Sequence, residues 1–140
     1  MIIVPVDGSE RSVEALTYAK EMAEKYNDEL LLINVQPKND GTFSIDDVDD
    51  ADWLKGKEEY GMERLREAAE GLTGDVPVSM KVRFGIPSIE ITSEAKERGA
   101  MCIVMGSRGN GPVVSAILGS VSYGVLHLSP CPVTIIPSKL

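Results

Sequence analysis

The sequence predicts an α/β fold, an open parallel sheet of five strands with helices on both faces. Short, continuous apolar runs recur along the chain, and such runs are typical of strands buried on both sides. Between them lie segments whose apolar residues are spaced by three and four, as in amphipathic helices. Strands and helices that alternate in this way form parallel sheets. The length, 140 residues, predicts a single domain over residues 1–140.

The first third of the chain contains two predicted strands, residues 2–6 and 30–35, on either side of a helix. Asp7-Gly8-Ser9 interrupts the first strand, and the Ser9 side chain is expected to cap the helix. The apolar residues of that helix recur at helical spacing and predict the face that packs on the sheet. They are Val13, Leu16, Ala19, Ala23 and Tyr26.

Residues 37–52 are predicted to form an exposed acidic loop, because this stretch is rich in aspartate and has no basic residue between Asn39 and Trp53. A divalent-metal site is the alternative, but the pattern does not match a calcium-binding loop. The acidic residues are Asp40, Asp46, Asp47, Asp49, Asp50 and Asp52.

The rest of the chain alternates between helices and strands. A charged amphipathic helix is predicted over residues 53–72, and residues 78–84 alternate apolar and polar side chains, which indicates a strand near a sheet edge. Pro87 opens a helix that Gly99 ends. The remaining predicted elements are a strand over residues 101–105, a helix over 120–128 and a strand over 133–136.

The segment after the fourth strand has a spacing that indicates function. Two residues separate Gly106 from Gly109, and nine residues, 110–118, separate Gly109 from Gly119-Ser120. Glycines let the backbone approach a ligand, and a helix start offers free N–H groups to a phosphate. Arg108 adds a basic side chain. We therefore predict a phosphate site here, in preference to a structural turn with a serine cap. Because parallel strands end at one edge of a sheet, Asp7-Gly8-Ser9 is expected to complete it.

Composition restricts the partners of the protein. The formal net charge of −8 disfavours nucleic acids and anionic membranes. No apolar run approaches the ~20 residues that span a bilayer, so we expect a cytoplasmic protein. Cys102 and Cys131 form no C-x-x-C pair, and the sequence predicts no metal site.

Four motifs together resemble the ATP-binding branch of the universal stress protein family. They are residues 3–9 (IVPVDGS), 103–109 (IVMGSRG), 118–122 (LGSVS) and 130–133 (PCPV). The resemblance covers essentially the whole chain and implies a Rossmann-like sheet with strand order 3-2-1-4-5. It also implies a stress-response regulatory protein that binds ATP or a related adenine nucleotide with Mg²⁺ or Mn²⁺. Its homodimers would pair through the last strand, residues 133–136, an apolar edge that needs cover.

The resemblance also implies which residues form the nucleotide site. Pro5, Val6 and Asp7 would line the adenine and ribose side, and Val35 would contact the adenine through its backbone. The residues expected around the ribose and phosphates are Met105, Gly106, Arg108 and Gly109. Those expected to hold the phosphates at the helix start are Gly119, Ser120, Val121 and Ser122. The spacer 110–118 carries no Lys or Arg, where many relatives carry one.

The sequence favours a binding protein over an enzyme. His127 is the only histidine, and it lies near a predicted helix end, where the helix dipole favours a cation. No pair of base and nucleophile is visible. Asp7 leaves slow ATP hydrolysis as one alternative function, and a nucleotide-free interaction module is a second. The chain lacks the G-x-x-x-x-G-K-[ST] motif of P-loop proteins.

Overall fold

A computed structural model describes residues 1–38, 47–107 and 118–137 of the chain. Strands and helices alternate throughout these ranges, as the sequence predicts. The strands are β1 (Ile2–Pro5), β2 (Leu30–Gln36), β3 (Val78–Phe84), β4 (Cys102–Gly106) and β5 (Val133–Ile136). The helices are α1 (Glu10–Tyr26), α2 (Asp47–Glu70), α3 (Pro87–Arg98) and α4 (Ser120–Leu128).

The five strands form one parallel sheet in the order β3-β2-β1-β4-β5, which confirms the predicted fold class and strand order. In the centre of the sheet, Ile3 of β1 pairs with Leu31 of β2 and with Ile103 of β4. The chain order reverses between β1 and β4, so the carboxyl ends of these two strands form a topological switch point. Open α/β sheets bind ligands at such a point.

Two apolar cores lie on opposite faces of the sheet. Alternate residues of β1 point to different faces, so Ile2 and Val4 join one core and Ile3 joins the other. Helices α1 and α2 cover the first core, and α3 and α4 cover the second. Within the described ranges, no helix is both long and apolar enough to cross a membrane.

The acidic stretch departs from the prediction. Helix α2 begins at Asp47, so residues 47–52 are helical and the predicted loop over 37–52 is wrong for that part. A run of aspartates in the sequence is compatible with a helix N-terminus as well as with a loop, because the helix dipole favours acidic residues there. Asp40 lies outside the described residues, as does the rest of 39–46.

Two predictions for α1 are also wrong. Ser9 occupies the N-cap position, but its side chain makes no capping hydrogen bond, and its hydroxyl lies 3.3 Å from the Ser12 hydroxyl instead. Val13 is 56% exposed and Tyr26 66% exposed. The buried face runs instead through Ser12, Ala15, Leu16, Ala19 and Ala23.

Two glycines allow the helices to pack closely. A Cβ atom added to Gly61 of α2 would lie 2.7 Å from Oδ1 of Asn34, and one added to Gly124 of α4 would lie 2.6 Å from Cβ of Ser88. Side chains at these positions would separate α2 from β2 and α4 from α3. Gly124, whose presence inside a helix has no explanation at the level of sequence, is therefore a packing residue.

A buried cluster of charges joins β3 to α3. The Glu94 side chain is fully buried and forms ion pairs with Lys81 at 3.0 Å, Arg83 at 2.5 Å and Arg98 at 3.3 Å. Arg83 also bonds to Glu90 at 3.0 Å. Burial alone would raise the pKa of Glu94, but the hydrogen bonds from Lys81 and Arg83 hold it below its ordinary value. The carboxylate therefore stays charged inside the protein.

Candidate functional site

A crevice opens at the carboxyl ends of β1, β2 and β4, at the topological switch point of the sheet. Its empty volume is about 630 Å³, the part open to solvent included. The crevice is open to solvent and lies at the position where open α/β sheets bind small molecules.

The crevice has apolar walls and a few polar groups at its edges. Of the residues assigned to the site from the sequence, eight line it: Pro5, Val6, Asp7, Val35, Met105, Gly106, Val121 and Ser122. Apolar walls with a few oriented polar groups are the usual composition of a site for a flat, partly polar ligand.

The other assigned residues lie beside the crevice or outside the described ranges. Gly119 is the N-cap of α4 and Ser120 is its first residue, but neither lines the crevice. The Gly119 N–H donates to the carbonyl of Ser107 at 2.8 Å, which holds the start of α4 against the end of β4. Arg108 and Gly109 lie outside the described residues.

Five further residues line the crevice that the sequence did not indicate: Ser12, Ile33, Asn34, Pro87 and Ile91. Pro87 and Ile91 belong to α3, which was predicted as a helix, but no local pattern shows that its first turns lie over the strand ends. Ser12 lies in the first turn of α1, and its spacing from Asp7 is the only signal that the sequence gives for it.

The turn after β1 is held by Asp7. One carboxylate oxygen, Oδ1, accepts hydrogen bonds from the Ser12 hydroxyl at 2.6 Å and from the Ser9 N–H at 2.9 Å. Partial burial alone would raise the pKa of Asp7, but these hydrogen bonds outweigh burial and lower it. Gly8 follows with φ +86°, a conformation that favours glycine. The crevice therefore has a fixed, ionised carboxylate at one edge.

A buried polar pair lies behind the end of β1. The Asn34 side-chain amide donates to the carbonyl of Val6 at 2.8 Å, and its Oδ1 accepts from the Gln36 amide at 2.6 Å. Both side chains are buried. Because buried amides need partners, this pair fixes the orientation of the Val6 peptide where it borders the crevice.

At the opposite edge, the Ser122 hydroxyl donates to the carbonyl of Gly106 at 2.8 Å, which ties the first turn of α4 to the end of β4. The N-terminus of α4 consequently lies at the switch point, and helix N-termini attract anions. Among residues 1–38, 47–107 and 118–137, no group of three or more His, Cys, Asp or Glu side chains is placed to hold a metal ion. The N-terminus of α4 at the edge of the crevice is suited to binding a small anionic ligand.

Comparison with known proteins identifies the family to which the chain belongs. The model of the Universal stress protein family matches residues 1–137. The universal stress protein YxiE of Bacillus subtilis is 31% identical, with 96% of this chain and 97% of YxiE covered. The structure of universal stress protein UspA from Lactobacillus plantarum matches with a TM-score of 0.80 and 27% identity, covering 96% of this chain and 95% of that one.

A third relative, the universal stress protein from Archaeoglobus fulgidus in complex with dAMP, has the same fold, with a TM-score of 0.62 and 22% identity over 96% of this chain and 95% of that one. The family model spans nearly all of the chain, and the relatives match over most of their own length. This chain belongs to the universal stress protein family.

Proposed function

We propose that the protein binds ATP or a related adenine nucleotide in the crevice and acts as a stress-response regulator in the cytoplasm. The observation that carries the proposal is the apolar crevice at the switch point, with the start of α4 at one edge and the turn after β1 at the other. Apolar walls suit an adenine ring, and a helix N-terminus suits a phosphate. The dAMP complex of a protein with this fold agrees with the proposal.

The lining residues suggest how the nucleotide would lie. Pro5, Val6 and Asp7 would border the adenine and ribose, with the Val35 backbone against the adenine edge. Met105 and Gly106 would border the ribose and phosphates. We propose that the start of α4 holds the phosphates through Gly119, Ser120, Val121 and Ser122, near Arg108 and Gly109 of the glycine-rich segment. Mg²⁺ or Mn²⁺ would accompany a triphosphate and be held mainly by the phosphates and water.

The state of Asp7 favours binding over hydrolysis. A general base works best when its pKa lies near the working pH, whereas the pKa of Asp7 is lowered. Its Oδ1 already accepts two hydrogen bonds from Ser9 and Ser12. Such a carboxylate is a weak base but a good acceptor for a ribose hydroxyl. Steady release of ADP that disappears in Asp7→Ala would instead support the slow ATPase.

The nucleotide proposal is tested with Ser120→Asp and isothermal titration of ATP·Mg²⁺. Ser120 is exposed in the first turn of α4, so an aspartate there favours the helix but repels a phosphate. We expect saturable binding to the natural protein and at least tenfold weaker binding to the variant. Ser79→Asp, which adds the same charge near the amino end of β3, should bind normally. Absence of binding to the natural protein at millimolar ATP would contradict the proposal and favour the interaction module.

We also propose a homodimer paired through β5. Among the described residues, this strand lies at the sheet edge and pairs only with β4. The carbonyls of Pro132, just before the strand, and of Ile136 accept hydrogen bonds from the N–H groups of Ile103 and Ser107. Backbone groups alternate in direction along a strand, so those of Ile135 point to the open edge. Ile135→Pro should therefore weaken a dimer more than Ile135→Val does. Light scattering that gives 15.1 kDa for the natural protein at micromolar concentration would refute this.

A further inference from the structure

Two neighbouring helices, α3 and α4, border the crevice from the same face of the sheet. Helix α3 contributes Pro87 and Ile91 to the lining, and α4 contributes Val121 and Ser122. Ile91 is buried in the core cluster against which Val35 packs, so α3 lies on the side proposed for the adenine. The first turn of α4 is the part proposed to hold the phosphates. The two parts of a nucleotide would therefore meet different helices.

The distance between α3 and α4 is set where Gly124 meets Ser88. A Cβ atom added to Gly124 would lie 2.6 Å from Cβ and 2.8 Å from Oγ of Ser88. Because a Cβ atom is fixed to its own backbone, no rotation of the Ser88 side chain relieves the first of these contacts. Carbon atoms in ordinary contact lie about 3.5–4.0 Å apart, so a side chain at position 124 would move the two helix backbones apart by roughly 1 Å.

The contact between Gly124 and Ser88 lies next to the residues that line the crevice. Ser88 follows Pro87 directly in the first turn of α3, and Gly124 lies two residues after Ser122 in α4. Val125, the next residue of α4, is fully buried and anchors this turn to the core. Close-packed elements transmit a displacement rather than absorb it. A separation of the helices at this contact would therefore displace Pro87 and Ser122 relative to each other.

We infer that Gly124 and Ser88 are positioning residues of the crevice, whose contact fixes the distance between the adenine side at α3 and the phosphate side at α4. The inference rests on the proposed nucleotide binding. A ligand that reaches both helices fits only one distance between them, whereas a ligand that contacts α3 alone is insensitive to that distance. The contact therefore selects ligands in which a single ribose joins the base to the first phosphate.

The test titrates ATP·Mg²⁺ and adenosine into Gly124→Ala, once circular dichroism has shown that the variant is folded. We expect the Kd for ATP to rise about tenfold, the effect of losing one charge-assisted hydrogen bond to a phosphate, and the Kd for adenosine to stay unchanged. Adding Ser88→Gly should restore the ATP affinity, because no other atom of the described residues would lie within 4 Å of the new Cβ. Leu30→Val is the matched control, since it truncates a fully buried side chain at the amino end of β2, away from the crevice.

Each other outcome overturns the inference in a recognisable way. Unchanged ATP affinity in Gly124→Ala would show that the helix contact does not position the ligand, while the proposed function would stand. An equal loss of ATP affinity in Leu30→Val would trace the effect to lower stability. An equal loss for adenosine, or no recovery with Ser88→Gly, would show that the ligand does not sense the distance between the helices. If the natural protein binds neither ligand, the proposed function fails, and the inference fails with it.

Discussion

Helix α2 lies close to the sheet at Gly61 but not at Gly56. Comparing the same substitution at these two glycines therefore tests how closely the helix packs. Replacing a helical glycine by alanine stabilises an exposed helix by about 1 kcal/mol. At Gly56 a Cβ atom would meet nothing within 4 Å, so Gly56→Ala should give that gain. At Gly61 the same atom would lie 2.7 Å from Oδ1 of Asn34 and 3.0 Å from Cγ2 of Val82. The same substitution is therefore expected to raise the free energy of unfolding at Gly56 and to lower it at Gly61.

The cost at Gly61 can be worked out from the groups that must move. Overpacking of a buried contact costs about 1–3 kcal/mol. Displacing Asn34 also strains its hydrogen bonds to Val6 and Gln36, and each such bond contributes about 1 kcal/mol. After the helix-propensity gain of about 1 kcal/mol is subtracted, Gly61→Ala should lower the free energy of unfolding by about 2 kcal/mol. The two alanine variants should then differ by about 3 kcal/mol.

Urea unfolding followed by circular dichroism measures both variants against the natural protein. The transition midpoints should shift in opposite directions with an unchanged slope. Val82→Ala in the Gly61→Ala background should recover part of the loss, because it removes both methyl groups that the new Cβ would meet. The reasoning is refuted if Gly61→Ala stabilises the protein as much as Gly56→Ala does, since α2 would then not lie against Asn34.

Three further predictions concern packing and charge. Gly124→Ala should destabilise the protein by about 1–2 kcal/mol in urea unfolding, because of the clash with Ser88, and Ser88→Gly should relieve that clash. Glu94→Gln should cost about 3 kcal/mol by the same assay, since it removes the buried negative charge that pairs with Lys81, Arg83 and Arg98. The free energy of unfolding should fall as the pH drops below 4.5, the ordinary pKa of a glutamate. Glu94 and Asp7 have lower pKa values in the folded protein than in the unfolded chain, so both carboxylates stabilise the fold at a pH above their unfolded-state pKa values. This stabilisation is lost as the pH falls through their folded-state pKa values. The fall should be shallower in Glu94→Gln, and an unchanged pH profile in that variant would contradict the assignment.

The fold could be predicted from the sequence because its signals are local. The apolar runs of β2 and β4 and the glycine that ends α3 identify their elements without reference to the rest of the chain. The start of α2 could not be predicted in this way. A run of aspartates is compatible with an exposed loop and also with a helix N-terminus, and composition alone does not separate the two.

The candidate site could be predicted only in part, for a related reason. Residues that follow β1 and β4 belong to recognisable turns, so Asp7 and Gly106 could be assigned from the sequence. Asn34 could not, because a single polar residue in an apolar strand gives no sign that it is buried. Its burial depends on Gly61, which lies in another element. Ile91 likewise reaches the crevice through the packing of α3, which no local pattern encodes.

From residue 51 onward, where its side chains are described, helix α2 contributes to the apolar core only beyond its midpoint. The side chains that it packs against the sheet begin at Met62 and continue through Leu65 to Ala69, whereas most of residues 51–60 are exposed. Its two halves should therefore exchange amide hydrogens by different routes. The amides of residues 51–60 should exchange through local fraying, at a rate that mutations of the core do not change. The amides after Gly61 should exchange only when the sheet itself opens. We therefore expect this one continuous helix to span two cooperative units, with their boundary near Gly61, the glycine that lies against Asn34.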